Sequence, residues 1–106
     1  MADKYDRLLS DYYTGLLNKK LQMFEELEIS QILRLSRPDE YRDLKRTIDI
    51  LDNVIAALRP IHKDILRARY GDKLPYAALS VRFNKSETAL HNWKNKAKQR
   101  MREAGV

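Results

Sequence analysis

Residues able to do chemistry concentrate between Ser86 and Arg102, which read SETALHNWKNKAKQRMR. At about 100° per residue, Leu90, Trp93, Ala97 and Met101 share one helix face, while Glu87, Thr88, His91, Asn95, Lys98 and Arg102 lie opposite. The outer face combines side chains that can hydrogen-bond base edges (Thr88, His91, Asn92 and Asn95) with cations suited to phosphates (Lys94, Lys96, Lys98, Arg100 and Arg102). Ser86 is expected to cap the helix by accepting a first-turn amide, and Glu87 favours the positive end of the dipole or accepts from cytosine. Lys85 adds a cation at the entrance. The candidate duplex-contact set is therefore Lys85, Ser86, Glu87, Thr88, His91, Asn92, Lys94, Asn95, Lys96 and Lys98. The plainer alternative is a Lys-rich solvated face. Trp93 aligns with Leu90 and Ala97, so it reads as core rather than as a base-stacking platform, and His62 reads as an ordinary surface residue.

Catalytic chemistry finds little support. The chain has no cysteine, and it has no phosphate-cradling glycine loop, no His-Glu-x-x-His helix and no nucleophile elbow. Two histidines far apart give no metal-ligand cluster. A non-enzymatic protein without cofactor or metal is expected.

Charge points the same way as the helix. Residues 1–53 carry 9 Lys/Arg and 11 Asp/Glu, whereas residues 54–106 carry 12 and 4, so the net +6 is the sum of −2 and +8. A polyanion-binding half and a half with another task are implied. The length suits a modest core, and the abundance of Leu, Ile, Ala, Lys, Arg and Glu without an alternating Val/Ile/Thr run predicts an all-α chain. No apolar run approaches the roughly 18 residues that span a bilayer, and MADKYDRLLSD lacks the pattern of a signal peptide, so a cytoplasmic protein without a membrane partner is expected.

The elements that must position the basic helix follow from periodicity. Tyr5, Leu8, Leu9, Tyr12, Tyr13, Leu16, Met23, Phe24 and Leu27 recur at three- and four-residue steps, predicting a long amphipathic helix from about Lys4 to Leu27, with a bend or close contact at Gly15. Ile29, Ile32, Leu33 and Leu35 extend it or form a short second helix. Ser36-Arg37-Pro38-Asp39 resembles a helix start, and the stripe Tyr41, Leu44, Ile48, Leu51, Val54, Ile55 and Leu58 predicts a helix ending near Arg59, before Pro60. The two stripes can close on each other as an antiparallel hairpin or on a second copy of the chain.

After Pro60, a helix of about ten residues should stop at Gly71 in a left-handed cap. Asp72-Lys73 then turns, Pro75 opens a shorter helix through Tyr76, Leu79 and Phe83, and Asn84 takes a left-handed turn before the Ser86 cap. A helical, oligomerising region over 1–58 and a DNA-binding region over 59–106 are the expected divisions.

Helix, tight turn and capped basic helix form the helix-turn-helix pattern, with Ser80 the small residue where the helices approach. On these residues the segment from Leu58 to Arg102 resembles sigma-70 region 4. LRPIHKDILRARYGD is similar to its leading helix, LPYAALSVRFNKS to its first motif helix and SETALHNWKNKAKQRMR to its recognition helix. The segment departs from that family at Asn84, where glycine is usual, at Lys85, where an aliphatic residue is usual, and at Glu87, Thr88, His91 and Asn92, so a standard promoter element is not the expected site. A helical front half joined to such a motif resembles phage late-transcription activators of the RinA and ArpU type. That resemblance implies sequence-specific binding of double-stranded DNA at a viral promoter region and activation of late genes with contact to host RNA polymerase; a homodimer is the binding form expected for this chain. Two other readings stay open: a region-4 mimic acting by protein contact alone, and a small terminase-like packaging subunit.

Overall fold

A computed structural model of the chain describes residues 3–26 and 38–106, and all regular structure among them is helical. The elements are α1 (Lys4–Tyr13), α2 (Leu16–Glu26), α3 (Pro38–Ala56), α4 (Pro60–Leu66), a π-helical turn at Arg67–Gly71, α5 (Tyr76–Phe83) and α6 (Glu87–Glu103). None of the described helices is long and apolar enough to cross a membrane.

A capping box starts α1. The Asp6 amide donates to Asp3 Oδ1 at 2.9 Å, and the Asp3 amide donates to Asp6 Oδ2 at 3.1 Å. The single helix expected from Lys4 to Leu27 is instead two helices. Gly15 stands at φ +82, a left-handed conformation that glycine adopts without a Cβ penalty, and Thr14 Oγ1 donates to the Ser10 carbonyl at 2.8 Å to close the first of them. The break lets α1 pack against the π-helical turn while α2 packs against α3. Ile29, Ile32, Leu33, Leu35 and Ser36 lie outside the described residues.

α3 stops at Ala56, short of Arg59. The Leu58 amide donates to the Ile55 carbonyl at 3.0 Å and its side chain turns into the core, while Arg59 is extended (ψ 150), as a residue before proline should be. Downstream, the left-handed cap expected at Gly71 does not form there. The chain widens instead, with the Asp72 amide donating to the Arg67 carbonyl and the Leu74 amide to the Ala68 carbonyl, both at 3.1 Å, and the left-handed residue is Lys73 (φ 60). A wider turn admits one more residue per hydrogen-bonded ring, and here it faces Tyr70 toward α1. Asn84 does take the expected left-handed conformation (φ 53, ψ 48), and the Lys85 amide reaches back to the Ser80 carbonyl at 3.2 Å.

Two apolar clusters result. The larger joins Tyr5 and Leu9 of α1, Leu17 of α2 and Ile48 and Leu51 of α3 to Leu58, Leu66 and Tyr70, and to Ala97 and Met101 of α6. The smaller joins Ile65, Ala68, Leu79 and Leu90, with Tyr76 and Trp93 packed at its edge. Residues before and after position 58 thus share one core, and α6 contributes to both clusters. Leu51 is fully buried, so Leu51→Ala should cost about 2–5 kcal/mol. Urea unfolding followed by Trp93 fluorescence and by circular dichroism should show the same displaced midpoint. A Trp93 midpoint left in place would mean that the two clusters melt separately.

Candidate nucleic-acid interface

α6 begins as its sequence dictates. Ser86 Oγ accepts from the Ala89 amide at 3.1 Å, and Glu87 occupies the first turn. Leu90, Ala97 and Met101 are buried on the inner side. Directly opposite, Thr88, Asn92, Asn95 and Gln99 are all exposed, and at about 100° per residue they form one uncharged polar stripe along the helix. Lys96 and Arg100 stand on one flank of that stripe, and His91 and Arg102 on the other, all four exposed. Lys85, Ser86 and Glu87 are exposed at the N-terminal end, where Lys85 Nζ lies 5.6 Å from the Trp93 ring centroid. Gln99 was not among the residues singled out from sequence, although its spacing from Asn92 and Asn95 carried the signal. Its Nε2 donates to Glu103 Oε1 at 3.2 Å.

His91 is less free than its position on the helical wheel implies. Its ring stacks on Tyr76 of α5, with centroids 3.9 Å apart and planes 27° apart. The Arg69 guanidinium packs over the same tyrosine at 4.5 Å and donates from Nη1 to the Leu74 carbonyl at 2.9 Å. Lys94, half-buried, puts Nζ 5.4 Å from the Tyr76 ring and 3.4 Å from His91 Nδ1. The column Arg69–Tyr76–His91 is a cation–π and stacking arrangement that holds α5 against the first turns of α6. It leaves one edge of the imidazole outward. Trp93 is half-buried at the rim of the smaller cluster, as its alignment with Leu90 predicts, and its ring lies 4.4 Å from that of His62. His62 is half-buried in turn, so the surface reading of that residue is corrected.

Lys98 must leave the contact set. The helical wheel put it on the outer face, but the residue is only 8% exposed, because α1 covers that flank of α6. Its Nζ donates to Asp6 Oδ1 at 2.9 Å and to Asp3 Oδ2 at 3.1 Å. Asp6 Oδ1 also accepts from Tyr70 Oη at 2.6 Å. Burial alone would raise the Asp6 pKa, but the hydrogen bonds from Tyr70 and Lys98 outweigh it and bring the carboxyl down to about 2. Burial likewise opposes the charge on Lys98, and Asp6 and Asp3 reverse that and hold its pKa above the ordinary lysine value. A largely buried ammonium is costly to leave without its carboxylates, so this one is committed to α1 and not to a phosphate.

With the geometry in place, the chain can be compared with known proteins. No curated protein and no solved structure matches it. The sequence model of one protein family matches residues 25–103, most of the chain, so the chain belongs to that family, which is described as "Protein of unknown function (DUF722)".

Asp6 supplies an acid-sensitive test. Its folded pKa is depressed from an unfolded value near 3.9, so the stability it contributes is fully present above about pH 4 and is lost as pH falls through about 2. Asp6→Asn should remove on the order of 2 kcal/mol at neutral pH and flatten the stability profile over that acid window, measured by urea unfolding at a series of pH values. Parallel profiles for variant and wild type would show that the carboxylate stabilises nothing.

Proposed function

We propose that this member of the DUF722 family is a sequence-specific regulator of transcription, in which α5, the left-handed turn at Asn84 and α6 act as a sigma-region-4-like helix-turn-helix with α6 in the major groove of duplex DNA. The observation that carries this reading is the uncharged stripe Thr88, Asn92, Asn95 and Gln99 running between cationic flanks on a helix capped directly after a tight turn. Asparagine and glutamine each present a donor and an acceptor that match the adenine edge, and threonine accepts or donates according to its neighbour. A groove about 12 Å wide admits one helix, and the two phosphate strands that wall it fall where the flanks stand. Lys96 and Arg100 face one strand, and His91 and Arg102 the other.

The likeness to phage late activators extends the reading to activation of late viral genes in the bacterial cytoplasm by a homodimer that also contacts host RNA polymerase. Dimeric docking requires two half-sites about one helical turn apart, or a multiple of it. One observation favours a protein contact as well: Val81, on the exposed side of α5, is 85% exposed. An apolar side chain so placed beside the helix pair is available to a polymerase surface.

Selection of bound duplexes from a random pool by the full-length protein, at near-physiological salt, tests the reading. One motif should emerge and bind about a thousandfold or more tighter than its scrambled control. Asn92→Ala and Asn95→Ala should each weaken binding to the selected duplex by about 1–3 kcal/mol while leaving the scrambled duplex unaffected. A pool that never enriches would refute sequence reading by α6.

A further inference from the structure

Several cations on and around α6 are already engaged. Lys98 is paired with carboxylates, Arg82 lies 4.0 Å from Asp72, and Arg69 and Lys94 are packed on Tyr76. In contrast, Arg59, Lys96 and Arg100 are exposed and form no ion pair among the described residues. Lys96 and Arg100 share one place with His62. A small, mainly apolar cavity where α4, α5 and α6 meet is lined by Leu58, Ile65 and Ala97 together with His62, Lys96 and Arg100, and no carboxylate lines it. Arg59, the residue before α4, precedes His62 by three residues, and its charge lowers the His62 pKa. The cavity holds about 50 Å³, far less than the roughly 300 Å³ or more of a small-molecule pocket, so a ligand would meet the exposed Lys96 and Arg100 beside it and not the cavity itself.

The electrostatics of His62 report how concentrated this charge is. Burial lowers its pKa first, and the fields of Arg59, Arg100 and Lys96 lower it further. The charged groups facing it are therefore Arg59 from its own segment and Lys96 and Arg100 from α6, all of one sign. Unpaired like charges held together by two helices destabilise the free protein and are relieved by an anion. The arrangement is continuous with the Lys96–Arg100 flank of the proposed reading helix, which sets the kind of anion: an extended polyanion lying alongside α6.

We propose that Arg59, His62, Lys96 and Arg100 form a phosphodiester-binding surface that grips the DNA strand on the α4 side of the recognition helix. The inference rests on the DNA-reading proposal and deepens it, because it assigns sequence-independent affinity to α4 while discrimination stays with the polar stripe of α6. Binding there brings a negative charge to His62, favours its protonated form and so takes up a proton.

The test compares full-length wild type with Arg59→Ala/Arg100→Ala on the selected duplex and on its scrambled control over a salt series. Both side chains are exposed and the Arg59 side chain makes no capping hydrogen bond, so thermal unfolding should be unaltered. The double variant should bind both duplexes more weakly by the same factor, with an unchanged ratio between them, and the slope of log affinity against log salt should fall by about 1.8, near 0.9 for each lost phosphate contact. The His62 ring resonances should titrate at higher pH in the duplex complex than in the free protein. If wild type discriminates between duplexes but the double variant keeps its slope, the phosphate surface is overturned while α6 still reads DNA, and the rim is left to an acidic protein partner. A selective loss on the selected duplex alone would assign these residues to base reading and also overturn the proposal. Wild type that binds neither duplex would remove both proposals together.

Discussion

The carboxylate of Asp6 is the constraint on which the rest of this structure depends. One side chain caps α1 through the Asp3 amide, receives the Tyr70 hydroxyl from the π-helical turn and receives the Lys98 ammonium from α6. Three segments far apart in the chain are thereby brought to one point. A partly buried carboxylate is tolerated because its lone pairs are filled by charged or strongly polar donors, and the same donors hold it ionised. Around this clasp Tyr5 donates to the Val106 carbonyl at 3.2 Å, Tyr12 donates to Asp52 of α3 at 2.5 Å, and Lys73 bonds to Ser10. α1 is the strap that ties α6 to the π-helical turn.

α6 is strapped on one flank and packed on two clusters, and its outer side is left to solvent. That side carries the uncharged stripe and its two cationic margins, with Glu87 at its first turn and Glu103 at its last. The margin on the α1 side is supported by aromatic packing, with Tyr76 clamped between Arg69 and His91. On the α4 side the margin is unsupported and unpaired, with His62 and Trp93 beneath it. The same helix therefore presents two kinds of cation. Those already paired gain little from a phosphate, because the pairing must be given up first. Those left unpaired release counterions when a polyanion arrives, the term that dominates affinity for nucleic acid. Counting lysines and arginines in the C-terminal half overstates the charge available to a ligand.

The turn between α5 and α6 sets the angle between the two helices. Asn84 tolerates the left-handed conformation, the Lys85 amide closes on Ser80, and Ser80 Oγ donates to the Lys85 carbonyl at 2.6 Å. With Lys85 so fixed, its side chain is directed along the face of Trp93 and toward the α4-side margin. A short, doubly bonded turn leaves no slack between the two helices, which is what a rigid docking element needs.

Features set by neighbours in sequence were legible from the chain alone. The Ser86 cap, the left-handed Asn84, the extended Arg59 before Pro60 and the inward face of Leu90, Ala97 and Met101 all depend on local sterics or on a single helical period. The exposed Thr88, Asn92 and Asn95 follow from the same period, and Gln99 belonged with them. Tertiary structure decided the rest. A wheel assigns each residue an angle but not the partner at that angle, so Lys98 looked outward until α1, some ninety residues earlier, covered it. Gly15 was legible as a weak point, and whether it bends or breaks the helix depended on α1 and α2 packing against different neighbours. His62 became one of the most informative residues only because α6 places Lys96 and Arg100 beside it. Backbone preferences act over one turn of helix, whereas electrostatics and burial act between whatever surfaces the fold brings together, and that difference in range separates what the sequence determined from what the fold decided.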